Sequence, residues 1–424
     1  MSDIASDALI GPDAAMRECP ECGLFQAVPT LRPGLIAECT RCGALLRRRR
    51  RDAIGTTLAF SITGLLLFAI AATTPLLGLR LAGQQRDTTL TSLPGAFEAQ
   101  GIWQLALVVL ATTLLAPLLK LGLTAGVLIG LQLEISPSTL AAMERWRKRL
   151  TPWAMIEVFL LGVFVAYTRL AALAEVQVGV ALYALGGLML VIVATDAWLD
   201  EHALWEAIGR QRRTPAPMGE GALIGCDRCG RVSRAAPGAR CLRCNAPLRV
   251  RKPDSIVRTW ALLLAAAALY VPANLYPVMT VVRFGRGQPS TILGGVQELI
   301  EYKMWPLALL VFGASIMVPV LKLISLVVLL VSTQRRAAGR LRDRTRLYRI
   351  VDVLGRWSMI DVFMLSILVA LVQMGLLASV TPGLGGVCFA AVVILTMLAA
   401  FSFDPRLMWD AAGQTGCDAA ETEA

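Results

Sequence analysis

The sequence predicts an all-α polytopic membrane protein, with eight transmembrane helices in two parallel four-helix repeats and a small cysteine module before each repeat. Three observations predict it: a composition too apolar for a water-soluble domain, self-similarity at a fixed offset, and two pairs of C-x2-C knuckles. Of 424 residues, 56% are hydrophobic and 17% charged. The mean hydropathy of +0.63 lies outside the range of soluble globular chains.

The elements follow in chain order. Residues 1–18 are polar or mixed and are expected to form a disordered tail; they lack the apolar core of a secretory signal, so the N-terminus is expected to stay in the cytoplasm. Residues 19–46 hold the first cysteine module. Apolar runs at 53–78, 101–132, 153–174 and 178–198 are each long enough to cross a bilayer and form the first repeat, 53–205. Residues 206–225 read as a linker and 226–250 as the second cysteine module. Runs at 256–279, 304–332, 355–378 and 383–402 form the second repeat, 255–409, and 410–424 read as a second disordered tail.

Charge orients these spans. The net charge of +11 is concentrated in Arg47–Arg51, in Arg145, Arg147, Lys148 and Arg149, in Arg249, Arg251 and Lys252, and in seven arginines from Arg335 to Arg349. The loops at 80–100 and 280–303 are nearly balanced, and those near 175 and 380 have no basic residue. Since Lys and Arg mark the cytoplasmic side, both termini and both cysteine modules are expected there. A juxtamembrane position suits topogenic charge with some affinity for anionic lipid heads, and argues against nucleic acid.

The repeat is legible by subtraction. An offset of 202 carries Cys39, Cys42, Pro75, Trp103, Pro117 and Lys120 onto Cys241, Cys244, Pro277, Trp305, Pro319 and Lys322. An offset of 204 carries Trp153, Met155, Glu157, Phe159, Asp200 and Trp205 onto Trp357, Met359, Asp361, Phe363, Asp404 and Trp409. Four spans per unit is an even number, which makes the repeats parallel, related by an axis along the membrane normal.

Cys19, Cys22, Cys39 and Cys42 form one knuckle pair with 16 residues between, and Cys226, Cys229, Cys241 and Cys244 form another with 11 between. Four thiolates from such knuckles supply the tetrahedral donor set of structural zinc, with no open position for catalysis. Two four-cysteine zinc ribbons are therefore expected, facing a reducing cytoplasm that disfavours disulfides; iron or redox cycling is the alternative. Cys388 reads as a buried small hydrophobe and Cys417 as an incidental surface residue.

Within the spans, Lys120 and Lys322 lie about 6 Å, and Glu157 and Asp361 about 10 Å, to the cytoplasmic side of the midplane, counting about 1.5 Å per residue. A Lys–acid pair in each repeat is the cheapest arrangement for such charges. In the second repeat Ser315 and Ser358 share helix faces with Lys322 and Asp361, and Thr396 is the lone hydroxyl of the run 387–401. Ser315, Lys322, Ser358, Asp361 and Thr396 are thus candidates for a working polar site, with Lys120 and Glu157 as the thinner first-repeat version. A structural ion pair with back-bonded hydroxyls is the competing account.

Smaller signals complete the pattern. Pro75, Pro117, Pro277 and Pro319 are expected to interrupt spans, and "PANLYP" (272–277) ends span five. "LRLAGQQRDTTL" and "VVRFGRGQPSTI" suggest short far-side hairpins. Gly122, Gly126 and Gly130 offer a small-residue packing face. No G-x-x-x-x-G-K-[ST] loop occurs, no Ser/His/Asp set is present, and the sole histidine, His202, reads as a surface residue, so enzyme activity is not expected.

With the knuckles, "PANLYPVM", "APLLK", "VPVLK", "WSMIDVF" and "SFDPRLMW" (402–409) assembled, the chain from Cys19 to Trp409 resembles the paraquat-inducible protein A family. The resemblance implies an inner-membrane protein of a Gram-negative envelope that works with a periplasmic MCE-domain partner, forming a tunnel for lipid. It implies transfer of membrane lipid to or from that tunnel, or anchoring of it; a small-solute exporter is the more distant alternative. Ala72 stands where the second half has Asn274, and "LDEHALW" (199–205) replaces "FDPRLMW" (403–409), which points to the second half for function.

Overall fold

The computed structural model describes residues 15–414 except 82–83, 172–174, 211–220, 284–285, 302, 356 and 374–377. Among the described residues eight helical runs are long and apolar enough to cross a membrane, the third and seventh being Pro137–Ala171 and Leu341–Leu371. The first ribbon consists of two hairpins, β1 (Ala15–Glu18) with β2 (Phe25–Val28) and β3 (Ile36–Glu38) with β4 (Leu45–Arg48). The expected tail 1–18 therefore ends sooner, because residues 15–18 pair with β2; residues 1–14 and Cys417 lie outside the described residues.

The first half then runs α1 (Ala53–Thr73), β5 (Pro75–Leu81), β6 (Gln84–Thr89), α2 (Ser92–Glu98), α3 (Trp103–Val109), a π-helical turn (Leu110–Leu115) and α4 (Ala116–Gln132). It continues with α5 (Pro137–Leu150), a 3-10 turn (Thr151–Trp153), α6 (Ile156–Ala171), β7 (Glu175–Val178), α7 (Val180–Trp198) and α8 (Glu201–Arg210). The second ribbon carries β8 (Ala222–Gly225) and β9 (Val232–Ala235). The linker expected at 206–225 is thus shorter at both ends.

The second half repeats that order: α9 (Ser255–Leu275), β10 (Met279–Arg283), β11 (Arg286–Ser290), α10 (Ile292–Glu301), α11 (Trp305–Phe312), a π turn (Gly313–Met317) and α12 (Val318–Gln334). Then come α13 (Leu341–Leu354), a 3-10 turn (Trp357–Met359), α14 (Ile360–Leu371), β12 (Ala378–Pro382), α15 (Leu384–Ser402) and α16 (Arg406–Ala411). The expected tail from 410 begins later, since Asp410 is still in α16 and is held by Arg251 at 2.6 Å.

The molecule is not purely helical. The expected hairpins form, and a strand following the third span joins each one, giving three-stranded antiparallel sheets of order β6-β5-β7 and β11-β10-β12. The third spans are shorter than expected because the chain leaves the helix to supply these strands. At equivalent corners, Gly179 and Gly383 press against the carbonyl oxygens of Pro75 and Pro277, where any Cβ would collide.

The prolines act differently from expectation. Pro75 opens β5 and Pro277 lies between α9 and β10, so both end spans instead of interrupting them. Pro117 and Pro319 do sit inside span two, at the first turn after the π segment. A proline cannot donate its i→i−4 bond, and the extra residue of a π turn accommodates the ring. Pro272 lies within α9, and Asn274 Nδ2 donates to the Tyr270 carbonyl at 2.8 Å, so the asparagine bonds back onto its own helix.

In each half the first and fourth spans pack together, α1 on α7 and α9 on α15. The halves meet at α6 and α14. All twelve residues of α14 are buried, as expected of a helix apolar on every side. It touches α2, α3, α6, β5 and β6 of the first half. Gly162 makes the crossing possible: an added Cβ would lie 2.9 Å from Phe363 Cβ and 3.2 Å from Met364 N. Phe159 and Phe363 meet edge to face beside it, with ring centroids 5.5 Å apart. Of the three glycines of α4, Gly126 and Gly130 pack against Met143 and Leu140 of α5, while Gly122 faces open space. Replacing Gly162 by Leu should therefore cost about 1–3 kcal/mol by overpacking, read as a lower thermal midpoint of the purified protein, whereas Gly122→Leu should leave the midpoint unchanged.

Candidate metal centres and the intramembrane polar site

The cysteines converge as their spacing requires. In each ribbon the four sulfurs are buried and lie within 4.8 Å of one another. Cys19 and Cys42 Sγ are 3.5 Å apart, as are Cys22 and Cys39; the second ribbon gives 3.5 Å for Cys226–Cys244 and 3.6 Å for Cys229–Cys241. Disulfide sulfurs bond at about 2.05 Å, so these are not disulfides. Ligands at about 2.3 Å from a tetrahedral ion would be about 3.8 Å apart. Both clusters can hold a metal ion.

The ribbons dock crosswise. The first packs its Leu24, Val28 and Leu46 with Leu326, Leu330, Phe403 and Trp409 of the second half. The second packs Ile224, Ala246 and Leu248 with Val127, Leu140, Trp205 and Ile208 of the first half. Equivalent arginines make the joint: Arg349 of α13 donates to the Cys42 carbonyl at 2.9 Å and to Glu21 at 2.7 Å, and Arg145 of α5 donates to the Cys244 carbonyl. The two ribbons also meet each other, where Glu18 accepts from Gly225 N at 2.9 Å and from Arg251 and Arg406 at 3.1 Å each.

This junction explains "SFDPRLMW". Asp404 binds Arg406 through both oxygens at 3.0 Å, and Trp409 Nε1 donates to Thr345 at 3.2 Å. The motif thus fastens the ribbons. Its first-half counterpart contains His202, which is a joint and not the surface residue expected. Arg17 Nη1 donates to His202 Nδ1 at 2.7 Å, and His202 Nε2 donates to the Leu46 carbonyl at 2.6 Å, partners that assign the neutral tautomer. Burial, and then the Arg17 charge, push this imidazole down to about 4.

Inside the spans the expected Lys–acid pairs do not form. Lys120 instead binds Asp196 of α7 at 2.6 Å, while Glu157 is half-buried and has no hydrogen bond or ion pair among the described residues. The second half has no acid to match Asp196, since the repeat places Ala400 there. Among the described residues Lys322, 2% exposed, has no hydrogen-bond partner for Nζ, which rests against Gly355, with Asp352 of α13 as its acidic neighbour. Ser358 Oγ and both Asp361 oxygens are likewise buried without a hydrogen-bond partner among those residues.

Asp361, 7% exposed, opens on a pocket lined by second-half residues and by Arg169 of α6. It shares a cavity of about 30 Å³ with Arg169, Ser290, Thr291 and Gly295, between α6, α10 and α14. Arg169 is its cationic neighbour, and Ser315 its polar one. Arg169 donates to the Gly295 carbonyl at 3.4 Å and keeps its Nε without an acceptor. Ser315 and Thr396 bond back to their own helices, at 2.6 Å to Val311 and 2.9 Å to Val393, as the competing structural account anticipates for hydroxyls. Sequence reasoning missed Arg169 and Asp196. Each is a charge inside an apolar run, and neither belongs to the repeated motifs because Gln373 and Ala400 stand at the equivalent places.

Eight apolar helices and two four-cysteine ribbons among the described residues define a multi-pass membrane protein built of two like-ordered halves. The family model for paraquat-inducible protein A matches twice, at residues 54–209 and 256–413, and the chain belongs to that family. It is 33% identical over 401 residues, 92% of this chain and 95% of the relative, to "Intermembrane transport protein PqiA" of Escherichia coli (strain K12). It is also 33% identical over 408 residues, 94% and 92%, to "Lipophilic envelope-spanning tunnel protein A" of the same strain. A "Probable intermembrane transport protein" of Haemophilus influenzae is 25% identical over 409 residues, 95% and 97%. No solved structure matches the chain.

Two outcomes follow from this geometry. His202 has a folded value near 4 against 6.5 unfolded, so the unfolded chain takes up a proton first as the pH drops. Stability should fall by about 1 kcal/mol between pH 7.5 and 5.5, at constant metal content, and His202→Gln should flatten that dependence. Asp196→Asn should strand the buried Lys120 charge and lower the midpoint by an amount equivalent to about 3 kcal/mol, an effect that the double variant with Lys120→Met should largely reverse.

Proposed function

We propose that this protein is an inner-membrane component of an intermembrane phospholipid transport system, passing lipid to or from a periplasmic tunnel of MCE domains. Its relatives are named as intermembrane transport and envelope-spanning tunnel proteins, and their names describe transport, not enzymatic activity. The observation that carries the assignment of a working site is Asp361, buried with both oxygens unpartnered beside Arg169, on the helix where the halves meet. A charge left without a partner in such a place is costly and tends to mark a substrate or proton path. Lys322 and Ser358 extend the site toward the ribbons.

In this proposal the ribbons and both termini are cytoplasmic, and the two halves are parallel repeats about an axis along the membrane normal. The basic α5 and α13, which meet the ribbons, and the equal order of elements in the halves support that orientation. Zinc is the ion each ribbon holds, one per set of four cysteines, for a fully thiolate closed site suits it. Elemental analysis should give two zinc ions per chain, one in Cys42→Ser, with a lower thermal midpoint on chelation.

A scaffold that merely anchors the tunnel is the second reading, and the back-bonded Ser315 and Thr396 favour it. Asp361→Asn, Arg169→Gln and Lys322→Ala separate the two when insertion, zinc content and partner binding are verified first. On the transport reading, transfer of labelled phospholipid to the partner falls at least about tenfold in each, a barrier increase of about 1.4 kcal/mol. Undiminished transfer in all three would leave only the scaffold.

A further inference from the structure

The duplication supplies an internal control for surface charge, and one patch departs from it sharply. Between α12 and the middle of α13 lie Arg335, Arg336, Arg340, Arg342, Arg344 and Arg346. The loop here is two residues longer than in the first half, and the places equivalent to Arg340, Arg342, Arg344 and Arg346 are Ser136, Ser138, Leu140 and Ala142. The first half carries the basic residues of this connection further along α5, at Arg145, Arg147, Lys148 and Arg149, of which the second half keeps only the equivalent of Arg145, Arg349.

The structure uses only two of them internally: Arg342 donates to the Arg41 carbonyl at 2.7 Å, and Arg344 to the Ala337 carbonyl at 2.7 Å. Arg335, Arg336 and Arg340 have no acidic partner among the described residues, and exposed Arg346 is 3.9 Å from Asp343. Arg340, Asp343 and Arg344 wall an open groove of about 430 Å³ with Leu347 and Gly339. Beside this groove, on the neighbouring face of α13, an exposed stripe runs along the helix and beyond it, through Arg342 and Arg346, then Ile350, Val353, Leu354 and Trp357. Charge at one end and apolar side chains at the other, at spacings of three and four along one face, describe a helix that descends from headgroup level toward the acyl chains.

We propose that this groove, together with the exposed arginines beside it, is a binding site for an anionic phospholipid of the leaflet that faces the ribbons. The phosphate lies among Arg336, Arg340 and Arg346, and an acyl chain lies along Ile350 and Val353. The occupant is a lipid because the charged patch runs without a break into an exposed apolar strip, a pairing that a free anion or a nucleic acid does not need. The site is separate from the Asp361 cavity and does not rest on the transport proposal.

The test uses the full-length, zinc-loaded protein in detergent, titrated with phosphatidylglycerol or phosphatidylcholine and read by native mass spectrometry. Wild type should retain phosphatidylglycerol in preference to phosphatidylcholine. At about fivefold per basic residue, R336Q/R340Q/R346Q should lose roughly a hundredfold in that preference, while R336K/R340K/R346K should keep most of it. Zinc content and thermal midpoint should stay at the wild-type level in both variants, which separates loss of binding from loss of fold. Equal retention of the two lipids by wild type, or a preference that survives the glutamine variant, would overturn the proposal. Co-purification of nucleic acid or an acidic protein that depends on these arginines, without lipid preference, would overturn it in favour of a soluble partner.

Discussion

Complete burial of α14 is the constraint on which the rest of the molecule depends. A helix enclosed on every face cannot send a side chain to the lipid headgroups, so its one acid must be served by the protein around it. Gly162 lets α6 cross close enough to enclose that helix, and the same crossing places Arg169 of the first half at the cavity of Asp361. The seam between the halves thus combines a close helix crossing with the unpartnered Asp361. Polar groups left unsatisfied in a low dielectric oppose the very packing that buries them. A structure that retains them on its central helix keeps a tension that water, a proton or a headgroup could relieve.

The ribbons impose a second linkage. Each follows the chain into one half but packs on the other, so neither half is complete alone. Arg145 and Arg349 show how this arises: both take the fourth cysteine's carbonyl from the ribbon opposite. A ribbon of this size cannot form a core by itself, and each of these shares one with the opposite half. The ribbons therefore tie the two halves together. Glu18, between Gly225, Arg251 and Arg406, ties ribbon to ribbon at the centre of that arrangement.

Comparison of the halves separates structural charge from the rest. Lys120 and Lys322 are equivalent, yet the first is paired with Asp196 and the second is not, because Ala400 replaces the acid. Asp361 is deeply buried where Glu157 is only half so. A duplicated fold lets one copy bear the structural load while the other carries groups that are poor for stability.

The span count, the duplication and the two four-cysteine clusters were legible in the sequence, because each depends on local chemistry: the length of an apolar run, a fixed offset, the C-x2-C spacing. So was the choice of the second half as the unusual one, through Ser358, Asp361 and Lys322. The partners of those residues were not legible. Lys322 and Asp361 lie at similar depth, which suggested a pair, but depth along a helix says nothing about the direction a side chain faces. That direction is set by helix rotation and by which neighbour is closest, quantities that depend on contacts between segments about 200 residues apart. The strand after each third span, the crossed ribbons and the role of Arg169 share that origin. Composition and spacing determined what this chain is made of and where it crosses; tertiary packing alone decided which charges meet.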